Sequence, residues 1–563
     1  FHAGADDRVQ NQLSPGVTAA GQIDAFDATG SGGRGGVNYR LRAGDFPFLR
    51  TAGGRDAALR FESNDIVSSQ GSFAARFLGV HDGIEDVCEP LGAVSPFRHE
   101  NGVELRQVQF RNTPTVLNAA FVERMLWDGR AAAEFNGVSP FGPRDTQGGI
   151  YEAAPDGTLV PKPLRMAGAA LASQATGPLL NPTEMSCAGR TFADVARKLE
   201  RRRALAFQAV HPEDSVLGRY AHPAAPGLTL TYGELVKRAF HPRLWRSPQR
   251  TPAGLPLFEA NFSLFWGLAI QLYESTLVSD DAPFDRYASG DDAALTAEQR
   301  AGLALFAGRA RCAFCHGGPV FTAAAPEPGR TSAIDRMPMA EAVPALYDRG
   351  FYNIGVRPTV EDRGVGGSVF GLPLSFARQA KLRAAGRAAP DTFLVDPAAF
   401  RARPGDAVAA GERDAVDGAF KVPTLRNVEL TGPYFHNGGQ ATLEQVIDFY
   451  DRGGDRRVQG GRDTTALPGG ASNLDPGLSP LGLTIEERAS LVAFLRALTD
   501  ERVRYERAPF DHPELTVPDG AEVDGQGHPL VAARGRPRER LRVLPAVGAA
   551  GSSTPLRPFT PAP

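Results

Sequence analysis

Cys312-Ala-Phe-Cys315-His316 constrains this chain more than any other stretch of it. Each residue of a Cys-x-x-Cys-His run has its own task. The two thiols add to the vinyl groups of a porphyrin. The two-residue spacer sets their separation on one helical turn, and the following histidine lies beneath the iron as an axial ligand. A thioredoxin-like redox pair would need a βαβ context, and a zinc site would need a second Cys/His pair at suitable spacing. Neither accompanies the motif, so one covalent haem c on Cys312, Cys315 and His316 is the reading. The sixth iron position is left to Met337, Met339, His436 or Tyr450, since Met, His and Tyr are the usual side chains there.

At 563 residues the chain exceeds what one core usually supports, and about 150 residues per domain allows three or four domains. A formal net charge of -3 points to neither nucleic acid nor an anionic membrane. Glycine and proline are abundant, at 63 and 45 residues, which predicts long loops between elements. The longest apolar run, from Phe262 to Tyr273, is shorter than the roughly 18–20 residues that span a bilayer, and reads as a buried helix. Thioether attachment takes place outside the cytoplasm. A periplasmic or otherwise exported chain, its signal peptide already removed, is therefore expected. In such a compartment the two remaining cysteines, Cys88 and Cys187, are expected to pair, the alternative being two buried thiols.

Along the chain, residues 1–60 read as an extension of loops and short strands, with the glycine-rich Thr29–Gly36 inside it. Residues 61–288 read as a first helical domain with an insertion at about 131–176, marked by Pro140-Phe-Gly-Pro143, Gly148-Gly149 and Pro161-Lys-Pro163. Helical patterns are predicted at 191–206, 231–240 and 257–278. Residues 289–505 read as a second domain, opened by Thr296 as N-cap with Gln299 in capping-box position. It closes with a second capped helix that starts at Thr484. Residues 506–563 are proline-rich and lack periodicity.

Several blocks then match a family. Phe420-Lys-Val-Pro-Thr-Leu-Arg-Asn-Val-Glu-Leu-Thr-Gly-Pro-Tyr-Phe-His-Asn-Gly438 resembles the C-terminal domain of bacterial di-haem cytochrome c peroxidases. Arg111-Asn-Thr-Pro-Thr-Val-Leu-Asn118, Leu126-Trp-Asp-Gly-Arg-Ala131 and Gly177-Pro-Leu-Leu-Asn-Pro-Thr-Glu-Met185 resemble three earlier blocks. The resemblance covers about residues 105–500, apart from the insertion. It implies a mostly α fold of two cytochrome c-like helical domains around an inter-domain calcium. One haem would pass electrons, and the other, in the N-terminal domain, would meet hydrogen peroxide. A MauG-type branch oxidises side chains of a partner protein.

By the same resemblance Trp127 matches the tryptophan between the two haems, and Glu184 the acid over the peroxidatic iron, where it assists O–O cleavage by proton transfer. Asn112, Thr431 and Pro433 match the calcium site, whose amide and carbonyl oxygens suit a hard cation. Tyr450 falls where the peroxidases place a ligating Met and the MauG-type branch a Tyr. A phenolate there would stabilise ferric and higher states, with His436 beside the iron rather than bound to it. The plainer readings are a buried tryptophan, a helix-start carboxylate, a turn-capping asparagine and a core tyrosine.

The chain departs from the family at its N-terminal haem motif. The corresponding region, Ser63–Phe73, holds neither Cys nor His, and Cys88 is followed by Glu89-Pro90. Loss of that haem is expected. The other reading is a non-covalent haem held through His81 or His99. The function expected is a haem c oxidoreductase that transfers electrons and uses hydrogen peroxide, with a redox partner protein or small electron donor. The competing functions are a monohaem electron carrier and a partner-docking module on the same scaffold.

Overall fold

A computed structural model describes residues 12–14, 38, 40–81, 85–91, 103–326, 333–339, 343–387, 407–455, 458–459, 462–532 and 535–563. Thr29–Gly36 and His99 lie outside the described residues.

The mostly α expectation, with two cytochrome c-like helical domains, is corrected. Helix accounts for 24% and strand for 19%. Among the described residues the strands form two-stranded antiparallel pairs rather than one large sheet. The first helical region is expected from about residue 64, but the chain there is extended. Ile66–Ser68 is a buried strand, and Ala75–His81 pairs with Glu85–Pro90. The reason lies in composition: a short β-branched run and an alternating burial pattern suit a pleated ribbon better than a helix. The Cys88–Cys187 disulfide fastens this ribbon to the segment after Leu180. The insertion holds another ribbon, Ile150–Ala153 with Leu159–Lys162. The proline-rich tail folds back as Leu515–Ala521 against Glu539–Leu544.

The helices gather in two places. Phe262–Glu274, the apolar run of the sequence, crosses Ala170–Ala175. Gly267 sits at that crossing, where a Cβ would lie 2.9 Å from the Ala172 carbonyl oxygen. Phe192–Leu199 closes the same core, in which Phe135, Phe258, Phe262 and Phe265 are buried. The second gathering sets Ala297–Ala307 against Ile485–Arg496. Here Gly302 lets the backbones touch: a Cβ would come 2.0 Å from the Ser490 carbonyl oxygen. Both helices start at the expected capping boxes, Thr296 with Gln299 and Thr484 with Glu487. Their packed faces bury Phe306, Leu491, Phe494 and Leu495, joined by Leu443 and Ile447 of the helix Leu443–Asp451. This packing places residues 308–316 at the edge of a cavity.

Candidate haem site

The helix Ala297–Ala307 ends at Gly308, and the chain turns through Arg311, whose φ of 55° is left-handed. The reversal starts the short turn Cys312–Phe314, and His316 N–H donates to the Cys312 carbonyl at 2.9 Å. Cys312 and Cys315 are not joined to each other. Burial pushes the Cys312 thiol up to about 11 and the Cys315 thiol higher still, so both stay protonated and apolar. The His316 Nδ1 lies 3.2 Å from the Phe321 carbonyl oxygen and donates to it. Burial lowers the imidazole to about 4. The ring is therefore neutral, a form suited to metal ligation, and it is held between the Phe321 and Pro423 backbone carbonyls.

The two thiols and this imidazole line one cavity of about 650 Å³, within the range of about 300–1,000 Å³ common to cofactor sites. Tyr450, His436, Met337, Trp127, Asn112, Thr431 and Pro433 line it too. Met339 does not; it packs in a separate cluster with Ala345 and Ala415. Tyr450 belongs to the helix Leu443–Asp451, capped by the Thr442 side chain. Burial, then the nearby Cys315 and Cys312, raise its phenol well above the ordinary range. A phenol this desolvated keeps its proton unless a cation stands beside it.

His436 lies face to face with Phe420, ring centroids 3.7 Å apart and 14° from parallel. Its edge meets Trp127 at 6.2 Å. Burial lowers it to about 3, so it too is neutral. Its Nε2 is buried and has no hydrogen-bond partner among the described residues.

Asn112 links these groups. Its N–H donates to the His436 carbonyl at 2.7 Å, and its own carbonyl accepts from the Trp127 indole at 2.6 Å. The side-chain Nδ2 donates to the Pro433 carbonyl at 2.7 Å, while Oδ1 is buried and lacks a donor among the described residues. A half-turn of the amide would set Oδ1 beside that carbonyl, a pairing of oxygens that a hard cation satisfies. Among the described residues no group of three His, Cys, Asp or Glu could hold a metal ion. A cation here would thus rest on amide and carbonyl oxygens.

Glu184 is absent from the cavity lining. It sits on the turn after Asn181, whose carbonyl accepts its N–H at 3.2 Å. Burial raises its carboxyl to about 7, against the opposing charge of Arg130. The structure therefore does not bring Glu184 and Trp127 to one cavity. His81, at the end of its strand, is exposed.

Two features escaped the sequence reading. One is the ion cluster under Trp127. Arg111 donates to Asp362 and to Asp128 at 2.7 Å, and Arg130 also binds Asp128. Its partners are far apart in sequence, and no spacing announced them. The other is the pair Tyr347 and Tyr352, both buried in the cavity wall with ring centroids 5.6 Å apart. Their only sequence signal is that they are tyrosines.

Residues 91–225 match the family described as di-haem cytochrome c peroxidase. Cytochrome-c peroxidase IdrP1 of Denitromonas iodatirespirans is 32% identical over 241 residues, covering 41% of this chain and 48% of the relative. Methylamine utilization protein MauG of Methylorubrum extorquens is 29% identical, over 41% of this chain and 43% of the relative. Cytochrome c551 peroxidase of Pseudomonas aeruginosa is 26% identical over 412 residues, covering 73% of this chain and 71% of the relative. The chain spans about half the length of the first two.

Proposed function

This chain belongs to the di-haem cytochrome c peroxidase and MauG family, and from that premise we propose that it is an oxidoreductase with one covalent haem c that couples electron transfer to peroxide-dependent oxidation. The observation that carries the reading is the convergence at one cavity wall of two thiols not joined to each other and a neutral imidazole.

Cys312 and Cys315 would hold the porphyrin by thioethers and His316 would supply an imidazole nitrogen to the iron. When bound, the haem supplies one-electron chemistry at its iron. The residues around it do the rest. The hydrogen bond from His316 Nδ1 to the Phe321 carbonyl orients the ring and raises its basicity. Tyr450 would offer a phenol oxygen to the iron, and its apolar surroundings favour ionisation only against a cation. Trp127 lines the cavity and is held there by the hydrogen bond to the Asn112 carbonyl. Glu184, protonated up to about neutral pH, would act as a proton donor. Asn112, Thr431 and Pro433 would hold a calcium ion through oxygens. The chain is read as two domains, 61–288 and 289–505, working outside the cytoplasm. The Cys88–Cys187 bond supports an oxidising compartment, and among the described residues no helix is long and apolar enough to cross a membrane.

One observation favours a second reading. The buried Nε2 of His436 has no partner among the described residues and belongs to a residue of the same cavity wall. If it ligates the iron, the protein is a six-coordinate monohaem carrier. Purified, fully matured protein separates the readings. Iron is counted per chain and haem stained on a denaturing gel, with C312A/C315A as control. Peroxide is then titrated against the visible spectrum and against turnover of a reduced donor. One covalent haem with a peroxide response supports the oxidoreductase. One haem without response or turnover supports the carrier, and no covalent haem removes both.

A further inference from the structure

Lys421 is the most unusual charge in the cavity wall. It follows Phe420 in a two-residue strand whose partner is Phe351–Tyr352, with Lys421 opposite Phe351. Its N–H donates to the Trp127 carbonyl at 2.7 Å, which locks the strand to the tryptophan turn. Only 7% of the residue is exposed. Burying an ammonium group without a counter-charge is costly enough that lysines seldom accept it.

The other cations of this wall are already engaged. Arg357 pairs with Glu361 and donates to the Ser63 carbonyl at 2.7 Å. Arg311 donates to Ser479 Oγ at 2.8 Å. Among the described residues the Lys421 ammonium has neither an acceptor nor a carboxylate within reach, and desolvation alone acts on it, pulling it down to about 8. Asp475 is the single acid in the lining, and its carboxyl is itself raised by burial. The wall thus offers a charge that the protein does not answer. A haem brings two propionates into this space, and they are the anions still missing.

We propose that the Lys421 ammonium is the counter-ion of a haem propionate, so that this residue positions the macrocycle with a propionate edge against the Trp127 turn. The inference rests on the haem c reading above. Removing the ammonium would leave a propionate in an apolar wall, where its protonation shifts into the neutral range. It would also favour the ferric state less strongly opposed by positive charge, lowering the midpoint potential.

The test uses the full, matured chain with K421M and K421R. Haem c content per chain comes first, because a wild-type protein without covalent haem overturns the underlying reading rather than the role of Lys421. With haem present, the midpoint potential is measured from pH 5 to 9. The expected result is a lower potential in K421M, with a pH dependence near neutrality that wild type and K421R lack. Haem loading lost in K421M and restored in K421R, with circular dichroism unchanged, supports the pairing equally. Full loading with the same potential and pH profile in all three proteins overturns it, as does loss of haem in both variants.

Discussion

The Trp127 indole donates its Nε1–H to the backbone carbonyl of Asn112 at 2.6 Å. The bond matters because Asn112 also reaches the Pro433 carbonyl and the His436 carbonyl. One asparagine therefore ties the tryptophan to the loop that carries three of the expected site residues. Trp127→Phe keeps the ring but strips this carbonyl of its donor. We expect stability to fall by about 1–3 kcal/mol, with covalent haem content unchanged. Urea denaturation of both proteins checks it; equal midpoints at equal slope would show the bond to be worthless.

Tyr450 yields a spectroscopic expectation. Tyr450→Phe removes one oxygen from a half-buried side chain and leaves the thiols and His316 untouched. The ferric visible spectrum is expected to change and the midpoint potential to rise. Tyr450→Met, which supplies a thioether, is expected to raise it further, since Met ligation favours the ferrous state. Spectra identical to wild type in both variants would take Tyr450 out of the iron's ligand set.

The Cys88–Cys187 bridge closes a loop with a sequence separation of 99. Chain entropy for such a loop amounts to about 4.7 kcal/mol, and native disulfides typically contribute about 2–4. The double variant C88S/C187S is expected to lose stability of that order while retaining haem, because neither cysteine lines the cavity. Guanidinium denaturation and a haem stain together report both halves. Undiminished stability would mean the ribbon is held by its packing alone.

Glu184 makes a pH prediction. Its folded carboxyl titrates at about 7 because of burial, against about 4.3 in an unfolded chain. As pH rises from 4.3 the unfolded state releases this proton first. The stabilisation present at low pH is therefore lost progressively up to about pH 7. Glu184→Gln cannot titrate, so its thermal midpoint is expected to depend less on pH over that window and to exceed wild type at its upper end. Parallel pH profiles for the two proteins would place the Glu184 carboxyl in water.

Several elements were legible because their signals are local. The capping boxes at Thr296 and Thr484 are hydrogen bonds between residues three apart, and both helices begin there. The helical stretches near 192, 232 and 262 were marked by apolar periodicity, though each observed helix is shorter than its predicted span. The ribbon around Cys88 falls inside a span, 61–288, expected to be helical. It is fastened to Cys187, far down the chain, a link that periodicity does not register. The tail from residue 506 looked structureless for the same reason. Its strand Leu515–Ala521 is paired with Glu539–Leu544 and tied back to Asn38, which exchanges hydrogen bonds with Ala521.

The sequence by itself determined that two thiols and an imidazole share one turn at Cys312, Cys315 and His316, since that spacing is a local property of five residues. It also determined the order of the family blocks. Only the tertiary structure decided that Asn112, Trp127, Lys421, His436 and Tyr450 share a wall with that turn, and that Glu184 does not. Their meeting depends on helix packing at Gly302, short strand pairings and buried ion pairs between distant segments. Such contacts are selected by the free energy of the whole packed core, which no single window of sequence contains.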